Sequence, residues 1–295
     1  MPKKKTNTEL INNYLEHIKN EKKVSQGTIT TYKNVGESLP FNLLSNQTTI
    51  IKKLKELYSN ANTLQLYLNM IILVRRFDDE ETDKLIKLRN SLKDEIVKIR
   101  KQGLDKLDQK LPSFDYIKTE LDNLNGIRYI LNYLIIEYGL RNKDMNLKMV
   151  KTLPAIPDRT ENYILLKPKE VLLNINDYKT EDKYGSKQLR IKDMKFIEEL
   201  KKLNLKPNDY LFAKKDKSKI TNTSTFNDKI LNLTIDRYGQ NRLFKIVIKD
   251  LLNNKSFDKL EELSNSRGTS LEVLLKSYNL ENGIENDKND KVKED

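Results

Sequence analysis

Residues 126–140, GIRYILNYLIIEYGL, constrain the fold more than any other stretch of the chain. Their apolar side chains run round the whole circumference of a helix, and a helix without a polar face has to be enclosed by other elements. The second half of the chain must therefore build layers around it. DYIKTELDNL before it keeps a helical period, and then the period changes. NYILLK and EVLLNIND read as strands, and KQLRIKD reads as a third after the turn EDKYGS. This predicts a small antiparallel sheet near the start of a mostly helical domain. MKFIEELKKLN, FNDKILNLTID, NRLFKIVIKDLLNN and SFDKLEELSNS return to helical spacing. RGTSLEVLLKSYNL closes the domain as a short helix with Leu271, Leu274 and Leu275 on one face, ending in Tyr278.

The first half supplies a second, smaller unit. Leu10, Ile11, Tyr14, Leu15 and Ile18 recur at helical spacing, and VSQGTITTYKNVGESL follows as a helix that Ser25 or Thr28 would cap. TTIIKKLKELYSNA and NTLQLYLNMIILVRRF add two more, the latter apolar enough to be the core helix. His17 lies beside the apolar stripe and reads as edge packing. A charged helix with a thin stripe (Leu85, Leu88, Leu92, Ile96, Ile99) comes next, a pattern suited to bridging domains, and Gly103 and Pro112 mark its end. The expected organisation is a basic flexible start (1–8), a helical module (9–78), a charged helical linker (79–112), a larger domain (113–280) and a disordered acidic tail (281–295). The fold class is mainly α. No internal repeat is evident.

Composition excludes several chemistries. The 295 residues include no cysteine, no tryptophan and one histidine. Disulfides, thiolate catalysis, Cys or His metal clusters and Ser-His-Asp triads cannot be assembled. No apolar run approaches the ~20 residues of a membrane span and no signal peptide opens the chain, so an intracellular protein is expected. The formal net charge is +12, from 55 Lys and Arg against 43 Asp and Glu. The tail 281–295 holds six of those acids and three lysines, which concentrates the positive charge in the rest of the chain. Such a surplus suits a polyanion, most simply nucleic acid; the competing reading is an AT-rich coding bias that raises lysine and asparagine.

Five residues could carry phosphate chemistry, and in a chain this basic each also has a plainer reading. Arg141 directly follows the apolar helix, and Asp144 three residues on could simply hold it as an ion pair. Lys179 sits at a strand end pointing into a hairpin, where lysines are usually solvated. Arg242 and Lys245 share a helical face. Tyr278 could be no more than a packing partner of the leucines beside it.

Their order along the chain is more specific than any one of them. A helical module, YGLR, a hairpin lysine, a basic helix, RGTS and a late tyrosine together resemble the tyrosine recombinase (integrase) family over most of the chain. GTITTYKNVG and NTLQLYLNMI are similar to that family's core-binding domain, and residues from about 112 to 280 to its catalytic domain. The resemblance implies Arg141 as the first catalytic arginine, from YGLR. It implies Lys179 as the catalytic lysine, from YKTEDKYGSKQLRI, and Tyr278 as nucleophile, nine positions after Thr269 in the family's late His or Trp position. RLFK overlays the family's H-x-x-R, so Arg242 stands for the histidine and Lys245 for the second arginine. The implied activity is cleavage and rejoining of double-stranded DNA through a 3′-phosphotyrosine link, with neither metal nor other cofactor, no small-molecule ligand, no membrane, and self-association on DNA. The wording is most similar to integrase-like proteins of AT-rich mobile elements and large DNA viruses, which implies a prokaryotic cytoplasm, a host nucleus or a viral factory. Two further readings stay open: a catalytically silent DNA-binding protein that keeps the recombinase fold, since three usual site positions are substituted, and a type IB topoisomerase.

Overall fold

A computed structural model describes residues 5–21, 26–108, 111–154 and 158–278. The side chains of residues 26, 100, 101, 103–108 and 276–278 are also outside what it describes. The expected basic start lies mostly outside these residues, as do the candidate cap Ser25, the acidic tail and the side chain of Tyr278. The chain divides into two compact units, Met1–Asp105 and Lys106–Asp295.

The first unit is helical: α1 (Asn7–Glu21), α2 (Gln26–Glu37), α3 (Gln47–Leu57), α4 (Ala61–Phe77) and the long α5 (Asp83–Asp108). Asn46 and Asn60 cap α3 and α4, each side-chain oxygen accepting from the N–H two residues on. Leu68, Met70, Ile71 and Ile72 of α4 are fully enclosed, as the apolar pattern requires. Leu85, Leu92 and Ile96 join the same cluster, so the helix expected as a bridge contributes its apolar stripe to this core. Arg75 is buried at its edge with its guanidinium bonded to the carbonyls of Leu43, Ser45 and Glu81. His17 packs on the Phe77 ring at 4.8 Å and pairs with Glu21 one turn on, in keeping with an edge position.

The second unit is built around α7 (Gly126–Tyr138), preceded by α6 (Phe114–Asn123). Tyr129, Ile130, Leu131, Leu134, Ile135 and Ile136 of α7 are all buried, which is what an all-round apolar helix demands. α9 (Met194–Lys202), α10 (Thr223–Leu233), α11 (Gly239–Asn253) and α12 (Phe257–Arg267) pack around it, and α13 (Leu271–Tyr278) closes the described chain. Both ends of α7 are satisfied from outside. Glu199 of α9 accepts the Gly126 N–H at its start, and the Arg267 guanidinium donates to the Gly139 carbonyl at its finish. Carboxylate at the N-terminus and cation at the C-terminus are the arrangement that the helix dipole favours.

The sheet differs from expectation. Its strands are β1 (Leu147–Val150), β2 (Asn162–Leu166), β3 (Val171–Ile175) and β4 (Lys187–Ile191), in that spatial order. β2–β3 and β3–β4 are antiparallel as predicted, but β1 runs parallel to β2, so the sheet is mixed rather than antiparallel. NLKMVK carries two lysines in six residues, which hid a four-residue strand in which only Leu147 and Met149 are buried. The turn EDKYGS also contains a short helix, α8 (Glu181–Tyr184).

Candidate active site

The site is assembled where two helices of the second unit end. α7 stops at Gly139, whose φ of 61° is left-handed and whose N–H returns to Ile135. A Cβ here would lie 2.5 Å from Phe244 Cε2, so conformation and space both require glycine. α12 stops at Gly268, with φ 64°. There the Gly268 N–H bonds the Asn265 carbonyl and the Thr269 N–H bonds that of Ser264, the paired pattern of a Schellman ending. A Cβ on Gly268 would approach Tyr178 Cε2 to 2.5 Å. The glycines of YGLR and RGTS thus do the same job at two helix ends, and an arginine within two residues of each supplies a guanidinium.

Those two arginines are exchanged. Arg267 Nη1 donates to the Gly139 carbonyl at 2.6 Å, and Arg141 Nη1 donates to the Arg267 carbonyl at 2.5 Å. Arg267 is buried, its guanidinium lying 4.0 Å over the Phe244 ring. Each arginine thus answers a helix C-terminal carbonyl that would otherwise lack a donor. A hydrogen bond to a charged group contributes about 1.5–3 kcal/mol net. The ion pair expected between the Arg141 and Asp144 side chains is replaced by a different bond. It is the Arg141 backbone N–H that donates to Asp144 Oδ2, at 3.1 Å.

Asp144 is instead the partner of Lys187, the first residue of β4. Lys187 Nζ lies 3.6 Å from Asp144 Oδ2, donates to the Ser266 carbonyl at 2.5 Å and sits 4.2 Å from the centre of the Tyr178 ring. Burial pushes the Lys187 ammonium down to about 8, with the neighbouring charges of Arg141 and Arg267 adding to the fall and Asp144 opposing it. Burial likewise raises Asp144 above the usual carboxylate range, against the pull of Lys187 and Arg141. Asp144 is fully enclosed and its Oδ1 has no hydrogen-bond partner among the described residues. A lysine that gives up its proton near neutral pH is the kind of group that serves as a general acid.

Asn162 holds this arrangement in register. Its amide nitrogen donates to the carbonyls of Asp144 and Asp177, and its oxygen accepts the N–H groups of Asn176 and Asp177 at 2.8 and 2.7 Å. One buried side chain thereby ties the Asp144 turn to the exit of β3. Tyr178 continues the support, donating its hydroxyl to the Gly185 carbonyl across the hairpin, and Thr180 Oγ1 donates to the Gly268 carbonyl.

The sequence-predicted residues fall in different places. Arg141 is at the centre of the cluster. Lys179 lies beyond the end of β3 in the turn, exposed, so the expected strand-end position is corrected; the more enclosed lysine of the hairpin is Lys187, with a side chain 12% exposed. Arg242 is exposed and Lys245 half-buried on α11, the helix whose Phe244 supports Arg267 and whose Asn241 accepts from it. Thr269 is half-buried just past Gly268, its backbone engaged in the helix ending. Tyr278 is the last residue of α13, and the helix is seated by the fully buried Leu274. Lys187, Arg267, Asn162 and Thr180 were not singled out from the sequence. The only signal for Lys187 was its place as the first residue of an alternating strand, opposite the Lys179 side of the same hairpin. Among the described residues no helix is long and apolar enough to cross a membrane, and no cluster of three or more His, Cys, Asp or Glu could hold a metal ion.

No family model matches the chain, and no curated protein matches it. Among solved structures it is similar to one titled "Crystal structure of XerA recombinase", at 16% identity and a TM-score of 0.33, covering 92% of both chains.

Proposed function

We propose that this protein cuts and rejoins double-stranded DNA through a tyrosine ester, with Tyr278 as nucleophile and Arg141 and Lys187 as phosphate-handling groups. The observation that supports it is the convergence of Arg141 and the pKa-lowered Lys187 on the adjacent carbonyls of Arg267 and Ser266, four residues ahead of the helix that ends in Tyr278.

In this reading Tyr278 Oη bonds to phosphorus as the bond to the 5′ oxygen breaks, and the Lys187 ammonium gives its proton to that leaving oxygen. Return of the 5′ hydroxyl, with its proton passing back to Lys187, reverses the step and reseals the strand. Arg141 neutralises the equatorial oxygens, for which a planar guanidinium is well shaped. Arg242 and Lys245 supply positive charge that favours the phenolate of the nucleophile, and Thr269 takes the place from which a further donor would reach the phosphate. Assignment of the acid to Lys187 rather than Lys179 rests on burial: Lys179 is exposed, whereas the enclosure of Lys187 pushes its ammonium down to about 8, which favours proton release near neutral pH.

The test is a pool of nicked duplexes with randomised cores, incubated with the full chain and resolved on a denaturing gel. A covalent protein–DNA adduct should form, and Tyr278→Phe should abolish it while duplex affinity persists. An adduct that survives the substitution removes Tyr278 as nucleophile. Duplex binding without any adduct selects the catalytically silent DNA-binding reading.

A further inference from the structure

Three successive carbonyls at the end of α12 are each taken by a donor of the candidate site. Lys187 bonds Ser266, Arg141 bonds Arg267 and Thr180 bonds Gly268. α13 starts three residues later, and its first turn is tied to the same stretch through the Val273 N–H on Ser270 Oγ and the Leu274 N–H on the Ser270 carbonyl.

We propose that these carbonyls lock the site at rest, and that a phosphodiester unlocks it by taking over the donors. The inference rests on the functional reading above and adds how that site is regulated. Lys187 carries the argument. Its ammonium donates to the Ser266 carbonyl at 2.5 Å, with the Asp144 carboxylate 3.6 Å away and the centre of the Tyr178 ring at 4.2 Å. The bond it has to give up to turn toward a phosphate oxygen is the one to the carbonyl, and an uncharged carbonyl is a weaker acceptor than a phosphate. Arg141 differs. Among the described residues only its Nη1 donates a side-chain hydrogen bond, to the Arg267 carbonyl, and the rest of its fork is able to meet a phosphate first. Capture by Arg141 followed by release of Lys187 leaves Ser266 without its donor. Among the described hydrogen bonds, the one from Thr180 to Gly268 then still joins the hairpin to the α12 end, beside the packing of Tyr178 on Gly268, which makes Thr180 a positioning residue for the 266–270 junction and for the helix that follows.

Hydrogen exchange on the full chain tests this, with a mixed-sequence duplex as the probe and fluorescence anisotropy to show that it binds. Amides of 268–274 should exchange slowly in the free protein and about tenfold faster with duplex bound, as expected when a local cooperative unit loosens. Thr180→Val should raise the free-state rate and shrink the duplex-dependent change, and Thr180→Ser, which keeps the hydroxyl, should restore both. Duplex that binds while exchange at 268–274 stays constant or slows overturns the lock and leaves the DNA reading standing. So does a Thr180→Val protein that responds to duplex as the parent does. Duplex that fails to bind at all overturns the DNA reading, and the lock with it.

Discussion

Gly268 carries two separate burdens, a left-handed backbone and a side chain's worth of missing space beside Tyr178. Gly126 carries only the first, since its φ is 57° and nothing lies within 4 Å of where its Cβ would be. Gly126→Ala should therefore cost about 1–2 kcal/mol, the strain of the left-handed region. Gly268→Ala should cost more, by about another 1–3 kcal/mol for overpacking. Paired urea unfolding curves read both, and equal losses would show that the Tyr178 contact gives way freely. Lys187 permits a second comparison. Its folded value of about 8 lies below the ordinary 10.5, so the unfolded chain binds more protons between those limits and stability rises with pH across them. Unfolding measured from pH 8 to 10.5 should show that rise in the parent, relative to Lys187→Met. Curves that run parallel would mean the ammonium is solvated in the folded protein.

At the scale of elements, the helices were legible in the sequence because burial and period agree. The apolar circumference of 126–140 and the five-residue stripe of α1 reappear as buried faces with few changes of boundary. The failures have one cause, which is that long-range pairing leaves no local pattern. β1 is specified by β2, fifteen residues away, and by the Met149–Asp209 and Leu211–Leu147 backbone bonds rather than by its own four residues. Lys187 reads as one more lysine until the Asp144 turn and the α12 end are brought to it. YGLR, by contrast, was readable because glycine cap and arginine stand within two residues of each other, and the structure places Arg141 in the cluster. Asn162 joins the turn and the hairpin through four bonds, so Asn162→Leu should cost about 2–4 kcal/mol by leaving buried N–H and carbonyl groups without partners. A loss under about 1 kcal/mol in chemical denaturation would show that water replaces the amide.

For the whole molecule, charge is the property that decides. A net charge of +12 gives a DNA-binding chain a steep salt response, because each phosphate contact releases a counterion. Affinity for duplex should fall about 10³-fold or more between 50 and 200 mM salt if six or more phosphates are contacted. Anisotropy titrations across that range measure it, and an affinity indifferent to salt would remove nucleic acid as the partner. Charge was fully legible in the sequence. The grouping of a few charged side chains into a buried cluster was not, since it depends on contacts between residues more than a hundred positions apart.

The exchange of arginines between the ends of α7 and α12 also sets a schedule for synthesis. Gly139 and Arg141 leave the ribosome well over a hundred residues before Arg267, and until Arg267 arrives the Gly139 carbonyl and the Phe244 face have no guanidinium to cover them. The second unit thus closes last at its C-terminal end, through contacts between residues more than a hundred positions apart, and late closure leaves apolar surface open to neighbouring chains. A message truncated before the codon for Arg267 would yield a chain with its central helix already made and no means of finishing its end. Quality control during translation, rather than loss of activity, would then be the first thing such a chain meets.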